Sequence, residues 1–148
     1  FHVLEALQSN WATVGINIEI KRSDWNVFKT AVREGQPDLY YLDWFADYPD
    51  GENFLYPLFH SSESMVKRNR FSDPDVDIII EKIQRQTETN TRDQLIIKAN
   101  KMVADAAPWV FLWHSKTTYL TQKWIHGFRP TPIFNANRYV NIFKLAPE

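Results

Sequence analysis

The sequence lacks several features that would assign it to a common chemical class. It contains no cysteine, which excludes disulfides and thiolate chemistry, and its 4 glycines form no glycine-rich phosphate-binding loop. No apolar run approaches the roughly 20 residues that a membrane-spanning helix needs. The 17 basic and 18 acidic side chains are interleaved, which gives a net charge of −1 and no basic block for phosphate contacts. Nucleic-acid binding is therefore not expected.

Groupings typical of metal sites and nucleophilic enzymes are scarce as well. The 4 histidines are scattered along the chain, and no two of them have metal-ligand spacing. No grouping of serine, histidine and aspartate resembles a nucleophile elbow. We therefore expect no metal and no cofactor.

Aromatic residues, in contrast, are abundant. They make up 15% of the chain and include 6 tryptophans. Such residues serve either a large core or surfaces that stack on sugars and peptide groups. With 148 residues the chain is long enough for one domain with a core of its own.

The first third of the chain predicts a helix followed by a βαβ unit. Apolar residues recur at helical spacing from about His2 to Val14, and Gly15 occupies the place of a helix C-cap glycine. Residues 16–20 and 39–44 have the apolar patterns of strands, with a helix predicted between them. Because such a crossover makes its two strands parallel neighbours, we expect an α/β fold with a mixed sheet flanked by helices.

The remaining two thirds predict a helical hairpin and more strands. Asp73 and Pro74 are typical of a helix start, and Thr91 with Gln94 forms a capping-box pattern at the start of the next helix. The polar link between these helices predicts an αα-hairpin. Strand-like patterns follow in residues 109–113, 117–120 and 139–143.

The stretch Tyr40–Leu55 is the candidate site. It begins as a strand and breaks at a turn around Pro49 and Gly51, after which Asn53 is expected to cap a helix. Ligands of open α/β sheets bind beyond the carboxyl ends of the strands, which is where this run of carboxylates and aromatic rings falls. The predicted ligand-contacting residues are Asp47, Trp44, Phe45, Tyr48 and Asp43, with His114 after a later strand.

The carboxylates of this stretch leave three functions open. A pair of them could flank a glycosidic bond, with Trp44 and Tyr48 as platforms for sugar rings, as in a glycoside hydrolase. The same rings alone would suit a carbohydrate-binding module. A single partly buried carboxylate could instead hold a ligand cation through a charge-assisted hydrogen bond. Asp50 and Glu52 are expected to be solvated turn residues in any of these cases.

Four segments of the chain carry a family resemblance. Residues 43–50, DWFADYPD, resemble the W-x-x-D-Y-P-D segment of the solute-binding proteins of ABC importers, in the peptide/nickel group known as family 5. Residues 8–20 resemble that family's Q-x-x-W-x-x-x-G-I-x-I helix and strand. Residues 69–77 and 105–113 resemble two later segments of the family, and all four segments occur in the family's order.

The resemblance implies a function as well as a fold. The chain would be a single α/β lobe of the type II periplasmic-binding-protein fold, residues 1–148, from the C-terminal part of a larger two-lobed protein. That protein would bind a solute outside the cytoplasm, with an oligopeptide as the expected class, and deliver it to a membrane permease. It would be periplasmic or anchored at the cell surface as a lipoprotein, and it would not be an enzyme. Peptide-binding members hold the peptide's N-terminal ammonium with an acidic residue at the position of Asp47. An oligosaccharide-binding member of the same family is the alternative.

Overall fold

The computed structural model describes residues 2–63, 70–131 and 141–145. These residues belong to two compact units, Phe1–Tyr40 and Tyr41–Glu148. The prediction of one lobe over residues 1–148 remains an expectation.

The first unit contains two helices, α1 (His2–Ala12) and α2 (Trp25–Arg33). As expected from its position, Gly15 has a positive φ of 84°, in the turn that ends α1. The side-chain amide of Gln8 donates a hydrogen bond to the carbonyl of Ile18 at 2.5 Å, which ties α1 to the extended segment that follows.

The two strands predicted around α2 are not assigned as strands. Residues 16–20 and 39–44 are without strand structure, and in the described part of the chain neither belongs to a sheet. Ile16 is 53% exposed and Leu39 is 61% exposed. A strand requires a neighbouring backbone that completes the hydrogen-bond ladder, whereas the apolar pattern records only which side chains favour burial. The βαβ prediction was therefore right about the helix and wrong about ladder pairing.

The second unit is built around a helical hairpin. A 3₁₀ turn (Gly51–Phe54) and the short helix α3 (Tyr56–Phe59) precede the long helices α4 (Pro74–Arg85) and α5 (Thr89–Ala106). The predicted αα-hairpin is confirmed, since α4 and α5 pack directly on each other. The core lies between this hairpin and α3, and its buried members are Leu55, Leu58, Phe59, Val76, Ile79, Ile80, Ile83, Ala99 and Val103.

The helix starts of the hairpin show one confirmed cap and one corrected cap. The Asp73 carboxylate accepts hydrogen bonds from the backbone N–H groups of Asp75 at 2.9 Å and Val76 at 3.3 Å, and Pro74 follows at the first helical position, as predicted. Helix α5, however, begins before the predicted box. Glu88 is its N-cap, and the Glu88 carboxylate accepts from the backbone N–H groups of Asn90 and Thr91, so Thr91 lies inside the first turn instead of capping it.

The sheet of the described residues is small. Strand β1 (Ile125–His126) pairs with strand β2 (Phe143–Lys144) in antiparallel register, with Ile125 opposite Lys144. The predicted strand at residues 139–143 is thus represented by its last residue, and residues 139–140 lie outside the described part. Residues 109–120 are assigned no strand, contrary to prediction, and Leu120 is 95% exposed. As in the first unit, these apolar segments lack a paired neighbour among the described residues.

Candidate functional site

The candidate site is the acidic loop, which we define as residues 43–53. Its first half is irregular, and its second half forms the 3₁₀ turn that leads into α3. The turn packs closely on α5, because a Cβ added to Gly51 would lie 2.9 Å from Cγ2 of Ile96. Glycine at this position therefore allows the acidic loop to approach the helical hairpin.

A buried amide holds the first half of the loop in place. Asn53 is only 4% exposed, and its Oδ1 accepts a hydrogen bond from the backbone N–H of Asp47 at 2.9 Å. The same oxygen faces Nε1 of the Trp44 indole at 3.4 Å. The sequence suggested that Asn53 caps a helix, but Asp50 is the cap, accepting from the N–H of Glu52 at 2.8 Å. Asn53 is free to bond the loop instead.

The phenol of Tyr48 is directed to a buried carboxylate. Its hydroxyl donates a hydrogen bond to Oε2 of Glu52, which is 8% exposed, and Oε1 of Glu52 accepts from Nε2 of Gln84 in α4 at 2.8 Å. Partial burial raises the pKa of Tyr48, and the bond to Glu52 raises it further, while the nearby Asn53 amide lowers it. The expectation that Glu52 is a solvated turn residue was wrong. It joins the loop to α4.

Asp50 forms the second anchor. Its two carboxylate oxygens pair with Nη1 and Nη2 of Arg92 in α5, at 2.7 and 3.0 Å, in the parallel geometry that makes such pairs strong. The hydrogen bond from Arg92 lowers the pKa of the Asp50 carboxyl, and the N–H of Glu52 lowers it further, against the opposing effect of burial. Nε of Arg92 also donates to the carbonyl of Ile83, 3.3 Å away. The expectation that Asp50 is a solvated turn residue was therefore wrong as well.

The other two carboxylates of the loop face solvent. Asp47 is exposed, and in residues 2–63, 70–131 and 141–145 its carboxylate has no hydrogen-bond partner. Asp43 is exposed as well and accepts a hydrogen bond from the Tyr41 hydroxyl at 3.0 Å. Slight burial raises the pKa of Tyr41, and this hydrogen bond to Asp43 raises it further.

The structure therefore brings together part of the predicted set. The Trp44 indole and the Asp47 backbone N–H both donate to the side-chain oxygen of Asn53, and Tyr48 lies near the Asn53 amide. Phe45 is 56% exposed beside them. His114 is exposed in the segment 109–120, and no hydrogen bond or ring contact joins it to the other predicted residues within the described part. Its neighbour Trp113 approaches the ring of Tyr41, with centroids 6.3 Å apart.

Sequence reasoning missed the residues that shape the loop. The sequence predicts a cap at Asn53 and gives Gln84 and Arg92 no role in the site, whereas all three hold the acidic loop. The sequence does contain one signal that Asn53 could be buried, because apolar residues follow it directly. A buried amide needs hydrogen-bond partners, and the neighbouring loop is where they would be found. For Gln84 and Arg92 no local signal exists, since each meets the loop only through the tertiary fold.

Neither a metal-binding cluster nor a membrane-spanning helix occurs in the described residues. Among those residues, no three histidine, aspartate or glutamate side chains are grouped so that they could hold a metal ion. No helix in the described ranges is long and apolar enough to cross a bilayer.

Known proteins resemble this chain in sequence. Residues 2–65 match the family model described as "Bacterial extracellular solute-binding proteins, family 5 Middle". The chain is 28% identical over 130 residues to the "Probable di/tripeptide-binding protein 5" of Pseudomonas aeruginosa (strain UCBPP-PA14), covering 86% of this chain and 25% of that protein. It thus spans about a quarter of the length of the curated relatives it matches. These relatives are named as binding proteins and not as enzymes.

Two solved structures resemble the fold. HbpA2 from Haemophilus parasuis matches with a TM-score of 0.77 and 20% identity, covering 98% of this chain and 29% of that one. The periplasmic binding protein DppA from Helicobacter pylori, solved with the peptide STSA, matches with a TM-score of 0.70 and 20% identity, covering 93% and 27%. The fold is that of a type II periplasmic-binding-protein lobe, which confirms the predicted α/β class.

Proposed function

We propose that this chain, a relative of the bacterial extracellular solute-binding proteins of family 5, forms part of the peptide-binding component of an ABC importer. In this proposal it contributes one side of the ligand cleft, with the acidic loop facing the peptide. The relative from P. aeruginosa is named for di- and tripeptides, and the H. pylori protein was solved with a tetrapeptide. Short peptides are therefore the ligand class to test.

One observation carries the proposal. The acidic loop holds four carboxylates, and Asp47 is the one that is exposed without a hydrogen-bond partner among the described residues. A ligand ammonium could bind it as a charge-assisted hydrogen bond without breaking any contact of the fold. Asp50 and Glu52, in contrast, would have to give up Arg92 or Gln84.

Aromatic side chains beside Asp47 supply the apolar part of such a site. Trp44, Phe45 and Tyr48 flank the carboxylate in the sequence, and Phe45 and Tyr48 are more than one-third exposed. Rings of this kind pack against peptide groups and apolar side chains. Asp43 and His114 are assigned to the periphery of the same cleft.

The site would be completed by a second lobe. Two-lobed binding proteins close over a ligand by hinge motion, so that each lobe contributes part of the contacts. We accordingly propose a location outside the cytoplasm, in the periplasm or at the cell surface through a lipid anchor, and a membrane permease as the partner. Residues 1–148 on their own should bind peptide weakly, because half of the contacts are missing.

The two alternatives from the sequence differ in what supports them. A carbohydrate-binding member of the family remains the second candidate, because Trp44 and Tyr48 lie together near Asn53. The relatives are named as binding proteins, and a glycoside hydrolase is not proposed.

Native mass spectrometry of the protein at its full natural length, purified without denaturation, tests the proposal. A retained mass that fragments into short peptides is the expected result. A retained sugar would overturn the peptide assignment and shift the site to Trp44 and Tyr48. A protein that carries nothing, and that also fails to bind a library of di- to pentapeptides, would overturn the proposal.

A further inference from the structure

The buried amide of Asn53 accepts hydrogen bonds from two of the predicted ligand residues, and a third lies near it. Its oxygen accepts from the backbone N–H of Asp47 at 2.9 Å and faces the Trp44 indole N–H at 3.4 Å. Its amide group also lies next to the Tyr48 hydroxyl. Asn53 itself cannot reach solvent or ligand easily, since only 4% of it is exposed.

The burial of Asn53 makes these contacts mutually dependent. A loop conformation that moved the Asp47 N–H away would leave the buried Asn53 oxygen with only the longer contact to the Trp44 indole, and it would therefore be disfavoured. Conversely, the Asp47 N–H has its bond only while Asn53 stays in place. This hydrogen bond restrains the backbone at Asp47, and with it the position from which the Asp47 side chain extends.

The position of Asn53 is set in turn by the helical hairpin. Asn53 lies in the 3₁₀ turn that Asp50 caps, and Asp50 is paired with Arg92 of α5. Glu52, its immediate neighbour, is hydrogen-bonded by Gln84 of α4. Both helices of the hairpin are thus hydrogen-bonded to the 3₁₀ turn. Asn53, which lies in this turn, is in turn hydrogen-bonded to the backbone of Asp47.

From this arrangement we infer that Asn53 is a positioning residue for ligand recognition, which directs the Asp47 carboxylate toward the amino-terminal ammonium of a bound peptide without touching the peptide. The inference rests on the proposed function, because it assigns Asn53 a role in the recognition of that ammonium. It distinguishes Asn53 from a residue that only stabilises the fold. A merely structural residue would change stability and leave the preference among ligands unaltered.

The test compares two ligands, a tripeptide with a free amino terminus and the same tripeptide N-acetylated. Wild-type protein at full natural length should prefer the free peptide by about 10-fold or more, the scale of one hydrogen bond to a charged group. Asn53→Leu, which keeps the approximate volume and removes both polar groups, should reduce that preference to about 3-fold or less by loosening Asp47. The double variant Asp47→Asn with Asn53→Leu should show no further reduction beyond Asp47→Asn alone.

A control separates loss of stability from loss of direction. Val103→Ala removes buried side-chain volume from the core in α5, away from the polar contacts of the loop, and so lowers stability without altering Asn53. It should leave the free-to-acetylated preference at the wild-type value. All affinities are measured at a temperature where each variant is fully folded by circular dichroism.

The possible outcomes are distinguishable. A wild type without any preference for the free amino terminus would contradict the proposed function. A wild type that prefers the free terminus together with an Asn53→Leu variant that keeps the full preference would overturn only the role of Asn53. Asn53→Ala serves as the second variant if the leucine does not fit, and failure of both to fold would assign Asn53 to the fold alone and overturn the inference.

Discussion

The two halves of the acidic loop use the same chemical group in opposite ways. In the second half, Asp50 and Glu52 are paired with side chains of the helical hairpin and are largely withdrawn from solvent. In the first half, Asp43 and Asp47 are exposed, and among the described residues their carboxylates accept a single hydrogen bond, from Tyr41 to Asp43. The loop thus separates charge that holds the fold from charge that is available to a ligand.

This separation has a physical basis. A carboxylate that is withdrawn from water must be compensated by hydrogen bonds or an opposite charge, and once compensated it has little to gain from a ligand. A carboxylate on a loop that is held firmly but remains solvated loses little freedom when a ligand binds. The pairing of Asp50 and Glu52 therefore favours ligand binding by Asp47, because it reduces the freedom that the loop loses when a ligand binds.

The largest expected effect concerns the exposed half. Asp47→Asn should weaken binding of a peptide with a free amino terminus by about 1.5–3 kcal/mol, or roughly 10- to 150-fold. Its unfolding free energy should change by less than about 0.5 kcal/mol, because the carboxylate has no hydrogen-bond partner in the part of the chain that the structure describes. Calorimetric titration and denaturant unfolding measure the two quantities. An unchanged affinity would remove Asp47 from the site.

The next effect concerns the paired half. Arg92→Gln should lower the unfolding free energy by about 1–3 kcal/mol, because it leaves Asp50 without its partner. This loss is intermediate between the losses expected for an exposed and for a buried ion pair, because the side chains of Arg92 and Asp50 are 25% and 31% exposed. Arg85→Gln is the matched control, because Arg85 forms an exposed pair with Glu81 in α4 and its loss should cost about 0.5 kcal/mol or less. Equal losses in the two variants would contradict the assignment of Asp50 to the fold.

Acid should weaken the paired half selectively. Arg92 lowers the pKa of Asp50 in the folded state, so the unfolded chain binds a proton more readily and folding is favoured above the ordinary pKa of 3.8. This stability is lost as the pH falls through the lower native pKa. Between about pH 5 and pH 2, wild type should lose on the order of 1 kcal/mol more than Asp50→Asn does. Parallel pH profiles of the two proteins would show that the pair contributes nothing.

The smallest effect compares two tyrosines. Tyr41→Phe removes a hydrogen bond to the exposed Asp43 and should change the unfolding free energy by less than about 0.5 kcal/mol. Tyr48→Phe removes a donor from the buried Glu52 and should cost about 1 kcal/mol. Thermal unfolding of both variants under the same conditions provides the comparison. The opposite order would mean that Asp43, and not Glu52, is the carboxylate on which the loop depends.

Local sequence patterns predicted the helices of this chain well. The helix start at Asp73 and Pro74 and the hairpin of α4 and α5 follow from caps and apolar spacing that act within a few residues. The strands at residues 16–20 and 39–44 were not predictable in the same way. Their apolar patterns favour burial, but pairing depends on a backbone from elsewhere in the fold.

The candidate site divides along the same line. The position and composition of the acidic loop were readable from the sequence, including the turn at Pro49 and Gly51. The sequence did not reveal which of its carboxylates are paired within the fold. Glu52 pairs with Gln84 and Asp50 with Arg92, and only the tertiary fold brings these partners near the loop. The solvated-turn interpretation treated local polarity as exposure, and tertiary pairing overrode it.

The distance along the chain between Asp50 and Arg92 has a consequence for folding kinetics. The pair closes 42 positions of sequence, whereas the hairpin of α4 and α5 forms from neighbouring segments. Because long loops close later than local contacts, we expect α4 and α5 to become protected from hydrogen exchange before the Asp47 amide does during refolding. Pulse labelling would reveal this order, and early protection of Asp47 would reverse it. Competence to recognise a ligand would then be the last property that the second unit acquires.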